Sequence, residues 1–135
     1  MTTLDMLIRQ NGKPSFIKID VEGFEYQVLK GLSQAIDVIS FEFTPEFLES
    51  TFSCMDHVCS LGRAEWNFAL GEEMKFILRE WSSADQCKLA LLKLKDDNRL
   101  FGDVYARSVR QESARFPRGS DAFERDRREP GYPER

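Results

Sequence analysis

The run Phe16-Ile17-Lys18-Ile19-Asp20-Val21-Glu22-Gly23 constrains this chain more than any other stretch. β-Branched residues dominate it, Ile17, Ile19 and Val21 alternate with Lys18 and Asp20, and Gly12, Pro14 and Ser15 punctuate its start. Residues 16–21 therefore read as a buried strand. It ends abruptly in two carboxylates and a glycine. A helical spacing begins at once, with Phe24, Val28, Leu32 and Ile36 four residues apart and Leu29 beside them. Strand, acidic turn and helix form half of an α/β unit, and in open parallel sheets ligands bind beyond the carboxyl ends of the strands. Asp20 and Glu22 are thereby placed at a ligand-binding edge.

The remaining chain alternates in the same manner. Thr2 or Thr3 is expected to cap a first helix, with Asp5 as reciprocal partner of Thr2, a buried stripe of Leu4, Leu7 and Ile8, and Gly12 with Pro14 as the stop. Val38 to Phe43 reads as a second strand with Ile39, Phe41 and Phe43 on one face. Thr44-Pro45 then suits a helix start. Leu48, Phe52, Met55 and Cys59 give that helix its apolar stripe, and Gly62 suits its end. From Ala64 the period changes to two, through Trp66, Phe68 and Leu70, and after Gly71 through Met74, Phe76 and Leu78. This predicts an antiparallel hairpin or a strand with an appended arm. Ser82 or Ser83, with Asp85 or Gln86 in the capping-box position, starts a helix bearing Ala84, Cys87, Leu91 and Leu94, and residues 100–107 form a last strand. The order predicts an α/β fold with a mostly parallel sheet that finishes in an antiparallel part. Residues 109–135 lose apolar periodicity. Their mixed arginines and carboxylates, with Pro117, Pro130 and Pro133, read as a charged tail unable to bury enough surface to order itself.

Composition removes several classes of function. A formal charge of −4 over 135 residues leaves no basic footprint, so no nucleic-acid partner is expected. Cys54, Cys59 and Cys87 match neither a CxxC pair nor a zinc spacing and read as reduced thiols. There is no leader pattern and no apolar run of the ~20 residues needed to cross a membrane, so no membrane partner and a cytoplasmic location are expected. His57, the single histidine, falls opposite the apolar stripe of its helix and is expected to be solvated, which leaves a Ser/His/Asp or Cys/His scheme without a base. Trp66 and Phe68 read as one buried sheet face rather than a ligand wall.

The chemistry then rests on carboxylates. Asp20 and Glu22 lie two apart at a strand end and can converge if the chain turns at Glu22. Such groups can act as a general base toward a hydroxyl, accept hydrogen bonds from a ligand, or bind a divalent cation through oxygen. Glu42 ends the second strand in the same way, and two neighbouring strands delivering acids to one edge are more suggestive than either alone. Lys18, on the strand face of Asp20, is expected to neutralise it. There is no GxGxxG, GxxxxGK[ST] or HExxH in the chain.

The segment TTLDMLIRQNGKPSFIKIDVEGFEYQVLKGL resembles the second half of the FkbM-type methyltransferases, with their TLD segment, K-I-D-V-E-G-x-E strand and turn, and L-K-G helix. ISFEF, the aromatic hairpin and FGDVYARS are similar in order to the rest of that domain, so the resemblance spans roughly residues 2–108. It implies a class I methyltransferase-like (Rossmann-like) sheet, S-adenosylmethionine as cofactor, and O-methylation of a hydroxyl on a small molecule or sugar. Asp20, with Glu22 assisting, would orient or deprotonate that hydroxyl, and residues 16–21, 38–43 and the final pieces would match the fourth to seventh strands.

Measured against that pattern, the chain lacks the first three strands and the glycine-rich turn that holds the cofactor. Residues 1–108 are thus expected to be a partial methyltransferase domain, inactive alone and without cofactor-binding residues of its own. It would pair with a missing N-terminal half or form a homo-oligomer. The alternative is an inactive fragment or interaction module that pairs through the exposed edge of the first strand.

Overall fold

The computed structural model describes residues 2–97 and 100–109. The elements are α1 (Leu4–Asn11), β1 (Phe16–Ile19), α2 (Glu25–Leu29), β2 (Val38–Phe43), a 3-10 turn at Pro45–Phe47, α3 (Leu48–Leu61), β3 (Ala64–Leu70), α4 (Ala84–Leu92) and β4 (Gly102–Ser108). They build a mixed α/β fold on one four-stranded sheet in the order β1-β2-β4-β3. β1 and β2 pair in parallel, whereas β4 lies antiparallel between β2 and β3. Three strands therefore run one way and the last strand in sequence runs against them. This architecture is compatible with a methyltransferase-like fold.

The register explains why alternation in the strands matters. Ile17, Ile39, Ala106 and Trp66 form one row across the sheet, and Ile19, Phe41, Val104 and Phe68 form the next. Except for the partly buried Ile17, all are shielded from solvent, in one cluster with Met55 and Val58 of α3 and Cys87 and Leu91 of α4. Phe41 meets Trp66 and Phe43 meets Phe68 edge to face, with ring centroids 6.3 Å and 6.0 Å apart. Trp66 and Phe68 thus belong to the core, as their alternation implies.

Several local expectations are met. β2 has the expected bounds, Gly62 ends α3, and Ser83 and Gln86 form a reciprocal capping box at α4. Others are corrected by tertiary contacts. The helix expected over residues 24–36 ends after Leu29, because the N-terminal segment captures the chain just beyond it. A Cβ on Gly31 would sit 2.9 Å from Thr3 Cβ, Asp5 N–H donates to Gly31 O (2.9 Å), and the Asp5 carboxylate accepts from Ser33 N–H (2.8 Å). Leu32 and Ile36 reach the core from irregular backbone instead. Asp5 is therefore no capping-box partner; Thr3 alone caps α1 through Met6 N–H. The α1 stripe is only partly covered, with Leu7 exposed. Thr44 makes no side-chain cap, though Pro45 does open the 3-10 turn. In the α3 stripe Val58 is buried and Cys59 is not.

Beyond Gly71 the chain is an arm rather than a strand. It meets β3 through single bridges, Ala69 with Phe76 and Trp66 with Ser82. Between them the Asn67 side chain completes the ladder, donating from Nδ2 to Leu78 O (3.1 Å) and accepting Leu78 N–H at Oδ1 (3.0 Å). At the other side of the sheet β1 has, among the described residues, a neighbour only on its β2 side, and Phe16 and Val21 are exposed. No helix among the described residues is long and apolar enough to cross a membrane. Apart from Val109, the expected charged tail lies outside the described residues.

Gly102 sits where β4 enters the sheet: a Cβ there would come 2.1 Å from Ala69 O and 2.9 Å from Phe43 Cε1. Overpacking a site so close to backbone costs about 1–3 kcal/mol. Gly102→Ala is accordingly expected to lower the unfolding free energy by that order and with it the urea midpoint, and an unchanged midpoint would show that β4 enters the sheet differently.

Candidate functional site

Because β1 and β2 are parallel and Ile19 stands beside Phe41, both strands deliver their next acids to the same sheet edge. Asp20 follows β1 and Glu42 lies on β2, one residue from its end. The chain then turns sharply: Glu22 has φ 49° and Gly23 φ 101°, both left-handed, and Phe24 N–H returns to Val21 O (3.4 Å). Glycine adopts this conformation freely, whereas for Glu22 it is strained. Glu25, only 6% exposed, holds the turn in place. Its carboxylate accepts Val21 N–H (3.3 Å) at one oxygen and Gly23 N–H (3.0 Å) at the other.

A cavity of about 720 Å³ opens over this edge. Asp20, Glu22, Glu25 and Glu42 line it, and Phe24 and Phe47, each 64% exposed, reach it from the segments that follow β1 and β2. Carboxylate oxygens of Asp20, Glu25 and Glu42 lie within 4.8 Å of one another. That spacing suits oxygen coordination of a divalent cation, although Glu25 already spends its oxygens on backbone amides. Burial first, and then the charge of Asp20 beside it, push the Glu42 carboxyl above its ordinary value.

The structure thus brings Asp20 and Glu22 to one cavity, but the carboxylates closest to Asp20 come from Glu25 and Glu42. Sequence reasoning misses Glu25; its signal is a carboxylate two residues after the turn glycine, within reach of the turn amides. Lys18 does not neutralise Asp20: its Nζ reaches across β2 to Asp103 on β4 (3.6 Å). His57 is not simply solvated, since its Nε2 donates to Leu32 O (2.9 Å) and ties the segment after α2 to α3. Cys54 lies against the cavity, and burial, with the nearby charge of Glu25, pushes its thiol up to about 12.

An acid-bearing edge at the end of two parallel strands is compatible with many α/β proteins, and the comparison with family models decides among them. Residues 1–81 match the methyltransferase FkbM domain. The chain belongs to the FkbM methyltransferase family. Comparison with curated proteins and with solved structures gave no match. The matched part of the FkbM domain holds β1, the acidic turn, β2, α3 and β3, so the candidate site falls inside it.

The chemistry of this family depends in general on S-adenosylmethionine. The lining does not by itself fit that cofactor, whose amino-acid carboxylate needs a cation or free backbone amides. Among the described residues Lys, Arg and His are absent from the lining, and Glu25 already takes the Val21 and Gly23 amides.

Two measurements check the electrostatics. Glu42 is more readily protonated in the folded chain than in the unfolded one, so its ionisation costs stability as pH rises through the carboxylate range and above. Glu42→Gln is expected to raise the urea midpoint near pH 7 and to leave it unchanged below about pH 4; a lower midpoint at neutral pH would contradict this. Burial also pushes the Cys87 thiol up to about 12; it raises the Cys59 thiol too, but Cys59 is exposed to reagent whereas Cys54 and Cys87 are buried. Native alkylation with iodoacetamide at neutral pH should therefore label Cys59 first and spare Cys54 and Cys87 until denaturant is added, as mass spectrometry would show.

Proposed function

We propose that this chain forms the acceptor side of a methyltransferase pocket, where Asp20, with Glu22 assisting, orients or deprotonates a hydroxyl on a small molecule or sugar. The observation that carries the reading is the meeting of Asp20 and Glu42 over a cavity at the carboxyl edge of a parallel strand pair, inside an FkbM domain. Asp20 stands exposed at the cavity, where it can accept a hydrogen bond or a proton from that hydroxyl, and burial together with the charge of Asp20 raises the Glu42 carboxyl beside it. Holding the hydroxyl at a fixed position and angle is the larger contribution this edge makes.

In this reading the methyl group would come from S-adenosylmethionine, and the residues that would hold it are not among those lining this cavity. The edge that β1 leaves unpaired among the described residues supports that arrangement, because a parallel strand with apolar residues normally has neighbours on both sides. The same edge favours a second reading, an interaction module without activity that pairs with another chain, a second copy included, through Phe16 to Ile19.

Two experiments test these readings, and the second separates them. Calorimetric titration of this chain alone with S-adenosylmethionine is expected to show no micromolar binding, and such binding would place the cofactor site within the chain after all. In the complex that methylates a hydroxylated acceptor, followed with a labelled methyl donor, Asp20→Asn should lower turnover roughly 10²–10⁴-fold while leaving the melting temperature nearly unchanged. Unchanged turnover removes Asp20 from the mechanism and favours the second reading.

A further inference from the structure

The walls of the cavity carry a charge pattern that selects among acceptors, a selection that rests on the acceptor-site reading. Among the described residues, four of the lining side chains are carboxylates and none is basic. The cation on the same strand, Lys18, is engaged with Asp103. Anions can also be bound by free backbone amides at a turn or a helix start, without any basic side chain. At the acidic turn that route is taken: the Val21 and Gly23 amides are bound by Glu25, the first residue of α2. A phosphate or carboxylate entering the cavity would meet like charges and neither of these amides free to receive it.

The apolar part of the wall is equally specific. Phe24 and Phe47 leave the sheet edge after different strands, and both stay largely exposed while lining the same cavity. Burying exposed phenylalanine against a ligand ring gains apolar contact and stacking, while the carboxylates beneath accept hydrogen bonds from hydroxyls or attract a cation. Thr44 and Ser50 add hydroxyls to the same lining.

We infer that the site takes an uncharged or cationic hydroxylated molecule with a flat apolar ring or sugar face, seated against Phe24 and Phe47, and rejects acceptors bearing a phosphate or carboxylate. The ring lies on the phenylalanines and its hydroxyl points to Asp20 and Glu42.

The test uses the full chain without methyl donor, in EDTA so that no divalent cation bridges the carboxylates to an anion. Saturation-transfer NMR compares phenyl β-D-glucopyranoside with its 6-phosphate. The neutral glycoside is expected to bind at least tenfold more tightly. Phe24→Ala with Phe47→Ala should weaken it severalfold, and because both rings are exposed the fold is retained, which circular dichroism checks. Asp20→Asn with Glu42→Gln should narrow the gap between the two probes. Equal or tighter binding of the phosphorylated probe, or no binding of the neutral one, overturns the inference. Since no methyl donor is present, a failure of methyl transfer would refute the acceptor-site reading without altering this binding order.

Discussion

The Glu25 carboxylate is the contact on which the functional edge depends. It sits at the start of a five-residue helix too short to be stable by itself, and it binds two backbone amides of the turn that precedes it. Hydrogen bonds to a charged group contribute about 1.5–3 kcal/mol each, while a non-glycine residue held in the left-handed region costs about 1–3 kcal/mol. Two such bonds therefore outweigh the strain at Glu22. The result is a turn that reverses the chain immediately after Asp20 and leaves that side chain at the mouth of the cavity rather than in the sheet.

The second constraint is the parallel pairing of β1 with β2. Had the two strands been antiparallel, Asp20 and Glu42 would lie at opposite ends of the sheet. The irregular segment that links α2 to β2 makes the parallel connection possible, and it is fastened by Asp5 at Ser33 and by His57 at Leu32. β4 then closes the other side of β2, and its Asp103 draws Lys18 away from the acids. Each contact lies outside the cavity, yet together they determine which charges face it.

Much of this is legible in the sequence where the cause is local. Alternation in Val38 to Phe43, the stop at Gly62 and the Ser83-Gln86 cap depend on neighbours within a few residues, and the acids at the two strand ends follow from strand direction alone. What escapes depends on partners distant in the chain. The helical spacing of Phe24 to Ile36 is real, but Thr3 and Asp5 hold Gly31 and Ser33 out of a helix. Likewise the distance from Lys18 to Asp20 is short, but Asp103 arrives from 85 residues further on. Period-two alternation through Met74 to Leu78 leaves a hairpin or an appended arm open, and the structure has the arm, with the amide of Asn67 providing the pairing that a second hairpin strand would have made.

The crowding of like charges is itself informative about purpose. Three carboxylates have oxygens within 4.8 Å here; Glu25 is accounted for by the turn amides it binds, but Glu42 is burdened both by burial and by the charge of Asp20 without such a return. Perturbed acids of this kind cluster at functional sites, where their repulsion is tolerated because stability comes from elsewhere in the fold. Here the compensation is visible: the same edge sits on two packed rows of core residues and on a turn locked by Glu25. A rigid support under a strained and like-charged surface is what a site needs if its groups must meet a ligand at fixed distances, and FkbM membership points to methyl transfer as the chemistry that ligand would undergo.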